Sequence, residues 1–370
     1  MSLYKIFKPI IFCFKAEIAH NLAINLLKFL PNFCTLFCFN KKYQNLQNNI
    51  WDINFENPIG LAAGFDKNAE AALTLKKFGF GFIEIGTVTP KPQIGNPKPR
   101  MFRLRSDKAI INRLGFNNLG SSVIDKNISK IWCHESLDSK KDKIILGINI
   151  GKNKDTKDFA DDYIKMLNQF YINASYITIN ISSPNTKNLR DIQKEENLAE
   201  FLQKIMTQKD LLKNKLLKNV PILLKIAPDL SSQQQEKIAE IIIKQKIDGI
   251  IISNTTIDRK LNLKSKKQQE NGGLSGQPLF DKSNEILANF YKLTKGKVPI
   301  IGVGGVSSAK QAYEKIKLGA SLVQIYSAFI YQGFGLVEEI KKDLSKMVKE
   351  DGFSNIQQAV GVNCKNLDFN

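Results

Sequence analysis

The chain has 370 residues, of which 43% are hydrophobic and 24% charged, so it can bury a core and is neither disordered nor an all-membrane protein. The formal net charge is +19, but the lysines are scattered rather than grouped with aromatic residues, which argues against a nucleic-acid partner. The five cysteines are widely spaced and there are only two histidines, as is typical of a reducing compartment. We therefore expect no disulfide framework and no metal site.

Residues 1–45 are basic and apolar, with six lysines against one glutamate. Their apolar side chains recur at steps of three and four, which places one stripe on a helix: Ile11, Phe14, Ile18, Leu22, Leu26 and Phe29. Pro31 is expected to end this helix, and a second apolar piece follows: Phe33, Leu36, Phe37 and Phe39. The pattern predicts two short amphipathic helices, with no uncharged run long enough to span a membrane. They either lie on a membrane surface or pack as a subdomain on the main core.

From Pro58 onward, short β-rich runs alternate with longer segments compatible with helices. Most of these runs are apolar on both faces, as strands of a parallel sheet covered by helices should be. The candidate strands are 59–63, 80–86, 144–150, 176–182, 222–227, 249–253, 300–303 and 322–326. Eight such units predict a (β/α)₈ TIM barrel, an α/β fold, over residues 46–370 after an N-terminal helical extension at 1–45. Residues 121–142 are expected to form a helix and a surface connection.

The residues that follow barrel strands lie together on one face and form the site. Here these positions carry small residues, amides, hydroxyls and two lysines, Lys67 and Lys225. Gly304–Gly305 after the seventh strand and Ser327 after the eighth suit a phosphate, which binds bare backbone N–H groups. Lys225 lies in an otherwise apolar strand, so either an anionic ligand or a structural ion pair must match its charge. The several asparagines indicate an anionic, amide-like substrate.

Eight motifs in order resemble the class 2, quinone-dependent dihydroorotate dehydrogenases over nearly the whole chain. They are residues 57–67 (NPIGLAAGFDK), 84–90 (EIGTVTP), 112–116 (NRLGF), 147–153 (GINIGKN), 180–186 (NISSPNT), 254–259 (NTTIDR), 272–276 (GGLSG) and 322–327 (LVQIYS). The resemblance implies an FMN-binding barrel that oxidises dihydroorotate to orotate in pyrimidine biosynthesis. It implies that ubiquinone or menaquinone is the final electron acceptor.

The resemblance also implies roles for individual residues. Ser183 stands at the position of the catalytic base, which removes the C5 proton while the C6 hydride passes to FMN. The positions that match FMN contacts are Ala63, Gly64, Phe65, Asp66, Lys67, Thr87, Asn149, Asn180, Lys225, Ser253, Gly276, Gly305, Tyr326 and Ser327. Those that match substrate contacts are Lys67, Asn112, Arg113, Leu114, Gly115, Phe116, Asn180, Asn185, Asn254 and Thr255.

The extension at 1–45 would then admit the quinone, with His20 and Arg103 matching contacts to the quinone head. The expected state is a monomer held peripherally on the cytoplasmic side of a bacterial cell membrane. Three features depart from the family pattern, one of which is the long, lysine-rich stretch at residues 121–142. Ser253 replaces a threonine but keeps the hydroxyl, and Lys187–Asn188 replaces a frequent proline and glycine.

Three rival interpretations remain at this stage. The first is a soluble class 1-like flavoenzyme that uses fumarate or a nicotinamide, although that class has a cysteine in place of Ser183 and lacks the helical extension. The second is a barrel aldolase with Lys225 or Lys67 as a Schiff-base nucleophile. The third is a basic, non-catalytic protein that binds membranes or nucleic acid, whose binding would fall steeply with salt.

Overall fold

The computed structural model describes residues 3–35, 40–137, 143–156, 158–186, 189–193 and 195–365. The strands are β1 (Asn48–Ile50), β2 (Ile53–Phe55), β3 (Ile59–Leu61), β4 (Phe82–Val88), β5 (Met101–Leu104), β6 (Ala109–Asn112), β7 (Leu146–Ile150), β8 (Tyr176–Asn180), β9 (Ile222–Ile226), β10 (Gly249–Ile252), β11 (Gly273–Gly276), β12 (Ile300–Val303) and β13 (Ala320–Ile325). The helices are α1 (Leu3–Cys13), α2 (Ala16–Phe29), α3 (Pro31–Thr35), α4 (Ala72–Lys76), α5 (Ser121–Leu137), α6 (Phe159–Phe170), α7 (Glu195–Leu216), α8 (Ser232–Lys244), α9 (Phe280–Leu293), α10 (Ala309–Lys317), α11 (Ser327–Gln332), α12 (Leu336–Glu350) and α13 (Val362–Lys365).

Eight parallel strands close into a barrel in the order β3, β4, β7, β8, β9, β10, β12, β13. These are the eight strands that the sequence predicts, each displaced at its ends by two residues or fewer. The strands are buried on both faces because helices cover the outside and side chains fill the inside. The (β/α)₈ prediction is confirmed.

The bottom of the barrel is plugged by the antiparallel hairpin β1–β2. Ile50 and Phe55 of this hairpin pack against a layer of inward-facing side chains, which are Phe82, Tyr176, Leu223, Ile251, Ile301 and Leu322. Because this end is filled with apolar and aromatic groups, a ligand can reach the barrel interior only from the carboxyl ends of the strands.

A second, antiparallel sheet was not predicted. It has the order β11, β6, β5, and it stands beside the carboxyl ends of the barrel strands. β6 pairs with β11 across a long sequence separation, with Ala109 opposite Gly276 and Asn112 opposite Gly273. The sheet therefore brings two of the family motifs, residues 112–116 and 272–276, next to each other.

The N-terminal helices differ in detail from the prediction. The helix predicted before Pro31 is divided in two, because α1 ends at Cys13 and α2 begins at Ala16. The end predicted near Pro31 is confirmed: α2 ends at Phe29 and Pro31 starts α3, at a position where its missing N–H costs nothing. Leu36, Phe37 and Phe39 lie outside the described residues. α5 confirms the helix expected after residue 121.

The predicted apolar stripe of α2 faces outward. Most of its members are exposed, and the apolar residues exposed on α1 to α3 and their two connections are Phe7, Ile10, Phe14, Ile18, Leu22, Leu26, Phe29, Leu30 and Phe33. The opposite face of α2, with Ala19, Ile24 and Leu27, is buried against the protein. Among the helices that the structure describes, none is long and apolar enough to cross a membrane.

Candidate functional site

A cavity of about 960 Å³ opens at the carboxyl ends of the barrel strands, within the size range of sites for small ligands and cofactors. Most of the predicted site residues line it. They are Ala63, Gly64, Lys67, Thr87, Asn112, Leu114, Gly115, Phe116, Asn180, Ser183, Asn185, Lys225, Ser253, Asn254, Thr255, Gly276, Gly305, Tyr326 and Ser327. The motifs that are scattered along the chain thus converge on one space.

A network of amides and hydroxyls forms the floor of the cavity. The Asn180 Nδ2 donates to Thr87 Oγ1 and to Asn149 Oδ1, both at 3.1 Å. Thr87 Oγ1 donates to the same Asn149 oxygen at 2.6 Å. Asn149 is fully buried and lies behind this layer, so it supports the cavity wall rather than lining it. The network holds the polar groups of three neighbouring strands in fixed positions.

A second group of amides holds the part of the cavity wall that the segment after β8 forms. Asn254 Nδ2 donates to Ser182 Oγ at 2.9 Å, and Ser182 Oγ donates to Asn180 Oδ1 at 3.0 Å. Asn185 Nδ2 donates to the backbone oxygen of Asn112 at 3.1 Å. These bonds tie the segment after β8 to the end of β6 and to the segment after β10, which is where a substrate with several polar edges would be held.

Ser183 is nearly buried and lies on the cavity wall. Within the described chain, the only hydrogen bond of its Oγ is one accepted from the Asn185 backbone N–H at 3.3 Å. A serine hydroxyl without an adjacent histidine or carboxylate is a weak base, so it needs a water-poor site and a substrate whose developing charge is stabilised. Lys187 and Asn188, which follow this segment, lie outside the described residues.

Two lysines bring positive charge to the cavity. Lys67 Nζ donates to Asn117 Oδ1 at 2.9 Å, and burial together with the nearby Arg100 lowers the pKa of Lys67 to about 8. Burial also lowers the pKa of Lys225, and the charge of Glu84 opposes that shift. In the described part of the chain Lys225 makes no hydrogen bond or ion pair of its own. The ion-pair alternative for Lys225 is therefore not what the structure shows, and its ammonium group faces the cavity.

One end of the cavity is built from bare backbone and hydroxyls. Gly304 and Gly305 have φ of 120° and 74°, a region that favours glycine. A Cβ on Gly305 would lie 2.6 Å from the Cα of Phe280, so only glycine fits. Ser275 and Ser327 face each other here with their Oγ atoms 2.9 Å apart. Backbone N–H groups and hydroxyls of this kind suit a phosphate.

Three predicted site residues point away from the cavity. Asp66 is buried and accepts from the backbone N–H groups of Glu70 and Ala71, at 2.9 and 2.8 Å. Burial nevertheless raises its pKa to about 6. Phe65 packs edge-to-face on Tyr326, with ring centroids 5.7 Å apart. The Arg113 guanidinium turns outward to Glu270, at 2.8 Å. Asp66 and Phe65 thus shape the wall from behind.

The two residues predicted for the quinone head do not line the cavity. His20 packs edge-to-face on Phe65 at 5.4 Å, and burial, with the nearby Lys67, lowers its pKa to about 3. The Arg103 guanidinium donates to backbone oxygens near the end of α1, at Ile11 and Phe14, and lies 4.5 Å over the Phe12 ring. The cavity instead reaches α1 through residues that the sequence did not single out, which are Lys8, Pro9, Phe12, Met101, Arg105, Ile110 and Tyr331.

Two polar residues inside the barrel were also missed. Glu84 and Gln324 are buried, and each is an isolated polar side chain in an apolar strand. That is the same signal that singled out Lys225, so the sequence could have revealed them. Gln324 Nε2 donates to Glu84 Oε2 at 2.7 Å, while Gln324 Oε1 is buried without a hydrogen-bond partner.

Comparison with known proteins agrees with this geometry. The profile of the family described as dihydroorotate dehydrogenase matches residues 45–348. A protein of Rhodopseudomonas palustris (strain BisA53) named dihydroorotate dehydrogenase (quinone) is 43% identical over 354 residues, covering 95% of this chain and 94% of the relative. A protein of the same name from Allorhizobium ampelinum is 45% identical over 353 residues, covering 95% and 94%.

A solved structure is similar as well. The crystal structure of DHODH from Eimeria tenella in complex with ferulenol superposes with a TM-score of 0.89 at 39% identity, and the match covers 94% of this chain and 95% of that one. A family profile that spans most of the chain, together with relatives above 40% identity along nearly its whole length, leaves one assignment. The chain belongs to the dihydroorotate dehydrogenase family.

Proposed function

We propose that this protein oxidises dihydroorotate to orotate in pyrimidine biosynthesis, with FMN as the hydride acceptor and a quinone as the final electron acceptor. The observation that carries the proposal is the convergence of two groups on one cavity. Ser183 and the asparagines of the family motifs line one side, and Lys225 with the Gly304–Gly305 turn lines the other. The reaction itself is inferred from the names of the relatives.

The groups of the cavity suit FMN. Gly304, Gly305 and Ser327 would hold its phosphate through backbone N–H groups and a hydroxyl. The ammonium of Lys225 is a buried charge that lines the cavity without a hydrogen bond or ion pair among the described residues, so an anionic or polar ligand would stabilise it. When bound, FMN supplies a ring that accepts a hydride. Thr87, Asn180, Ser253, Gly276 and Tyr326 would complete the contacts.

The residues on the substrate side would bind the ring and accept its proton. Dihydroorotate becomes orotate by losing one proton from C5 and one hydride from C6, which removes two electrons in all. Ser183 Oγ would accept the C5 proton while its own hydroxyl proton leaves towards solvent, so that the serine ends as a neutral hydroxyl. Lys67 would face the substrate carboxylate or the charge that develops as the proton leaves. Asn112, Asn180, Asn185 and Asn254 can each donate and accept, which matches the imide edges of the ring.

The quinone would reach the cofactor from the side of α1. The cavity extends to Lys8, Pro9 and Phe12 on that helix, so a ligand arriving along α1 would meet the same space. The exposed apolar residues of α1 to α3 would seat the protein peripherally on the membrane that holds the quinone, on the cytoplasmic side of a bacterial cell. The positive charge of residues 1–45 would favour an anionic surface.

Substitution of Ser183 tests the proposed chemistry. Ser183→Ala should retain FMN at the wild-type stoichiometry but slow anaerobic cofactor reduction by dihydroorotate by about 10²- to 10⁴-fold, the usual contribution of a general base. Ser183→Cys keeps an ionisable group of similar size and should recover part of the rate as the pH rises towards the pKa of a thiol. Reduction of the Ala variant at the wild-type rate would place the base elsewhere.

A further inference from the structure

Glu84 lies inside the barrel, where nothing in the reaction has so far used it. The side chain is fully buried. Its carboxylate accepts from Asn149 Nδ2 at 2.8 Å, from Gln324 Nε2 at 2.7 Å and from the Tyr176 hydroxyl at 3.1 Å. Tyr176 and Gln324 come from β8 and β13, which are not neighbours of β4, so these bonds cross the barrel interior.

Lys225 brings a positive charge to the same barrel interior. It projects from β9 on the face that also carries Leu223, a member of the apolar layer at the bottom of the barrel. Glu84 acts on it electrostatically and opposes the effect of burial. A buried carboxylate and a buried ammonium are both costly alone, whereas together they leave the interior nearly neutral.

The carboxylate also fixes the orientation of two amides. Because it can only accept hydrogen bonds, both Asn149 and Gln324 must turn their NH₂ groups towards it. Asn149 Oδ1 then faces Thr87 and Asn180, and Gln324 Oε1 is left as an unpartnered acceptor. Glu84 does not line the cavity, but Lys225, Gln324 and Asn180 do. Glu84 is linked to Asn180 through Asn149, which donates to Glu84 and accepts from Asn180.

We propose that Glu84 is a positioning residue for the flavin: its charge balances that of Lys225, its hydrogen bonds fix the side chains of Gln324 and Asn149 beside the cavity, and it thereby sets the reduction potential of the bound cofactor. This inference rests on the proposed FMN site. Two-electron reduction adds negative charge to the cofactor. The Glu84 carboxylate disfavours that charge and Lys225 favours it, so the balance of the two determines the potential.

Glu84→Gln removes the charge at constant shape and provides the test. The midpoint potential of bound FMN should become more positive by an amount equivalent to at least a tenfold change in the equilibrium constant, about 30 mV for a two-electron couple. The shift should be largest at low pH and decline as the pH rises, because Lys225 without its counter-charge releases its proton more readily. Potentials are measured against reference dyes over the neutral and mildly alkaline range.

Two matched variants separate charge from packing. Tyr176→Phe removes one neutral donor to the same carboxylate and leaves the charge, so its potential should stay near the wild-type value. Glu84→Gln combined with Gln324→Glu returns a carboxylate to the cluster, so its potential should lie at or below the wild-type value. A Tyr176→Phe shift as large as that of Glu84→Gln, or an unchanged potential in Glu84→Gln at every pH, overturns the inference.

A charge-pair cycle gives a second measurement if Glu84→Gln holds FMN poorly. Lys225→Met should also weaken FMN binding, because it removes a proposed FMN contact and leaves the buried Glu84 charge without the opposite charge of Lys225. The double variant Glu84→Gln with Lys225→Met should then bind FMN more tightly than Lys225→Met alone. Additive losses in this cycle contradict the electrostatic coupling between Glu84 and Lys225. A wild-type protein that holds no flavin would instead refute the proposed function. The flavin content of the wild-type protein is therefore measured before any variant is made.

Discussion

Replacing two apolar side chains on the outer face of α2 should weaken attachment to membranes. Ile18 and Leu22 are 49% and 50% exposed, so about half of each side chain is already covered by protein. Full burial of such a side chain is worth about 1.5–3 kcal/mol, and covering the exposed half is therefore worth roughly 1 kcal/mol each. Ile18→Ser with Leu22→Ser should thus reduce binding by about 2 kcal/mol, or roughly 30-fold.

The assay is sedimentation with vesicles that contain anionic phospholipid and a long-chain quinone. The control is Ile172→Ser with Ile243→Ser, at two positions that are 50% and 47% exposed and lie outside α1 to α3. The α2 variant should lose vesicle binding and turnover with the membrane quinone while dihydroorotate still reduces the cofactor at the wild-type rate. Equal losses in the two double variants, or no loss in the α2 variant, would refute the membrane role of this face.

Two further predictions concern ion pairs that hold the site together. Glu17 accepts from Arg100 at 2.7 Å; burial alone would raise its pKa, but Arg100 and other cations outweigh that effect and lower it below 4.5. Its stabilisation should therefore be present above about pH 4.5 and disappear as the pH falls, and Glu17→Gln should cost about 2 kcal/mol in neutral thermal unfolding but nothing in strong acid. Asp229 accepts from Arg190 at 2.9 Å, and Arg190 donates to the backbone of Thr255 at 3.0 Å. Asp229→Asn should raise the KM for dihydroorotate about tenfold with FMN content unchanged, and an unchanged KM would show that this contact does not position Thr255 for the substrate.

The barrel could be read from the sequence because its signal is local. Each strand is a short run apolar on both faces and is followed by polar or small residues, a pattern that parallel strands under helices require. The eight strand ends then predicted part of the cavity lining, and the family resemblance supplied residues outside the barrel strands, such as Asn112 and Gly276. Ser183 and Lys225 are placed by this argument alone, without any knowledge of side-chain contacts.

The remaining errors arise where the contacting residues are far apart in the sequence or where the orientation of a side chain decides its role. β6 and β11 pair across a separation of more than 150 residues, which no local pattern reveals. Arg113 sits within a motif that lines the cavity, yet its own guanidinium turns outward to Glu270. The break between α1 and α2 was missed because the apolar stripe continues at helical spacing from Ile11 through Phe14 across it.

Anaerobic spectroscopy of the purified protein tests the central claim most directly. The protein is prepared in mild detergent, its visible spectrum is recorded, and dihydroorotate is added before a quinone, fumarate or a nicotinamide. The account predicts a bound flavin that is bleached by dihydroorotate and reoxidised by the quinone alone. A colourless protein, a flavin that dihydroorotate does not reduce, or reoxidation by fumarate or the nicotinamide instead of the quinone would contradict it.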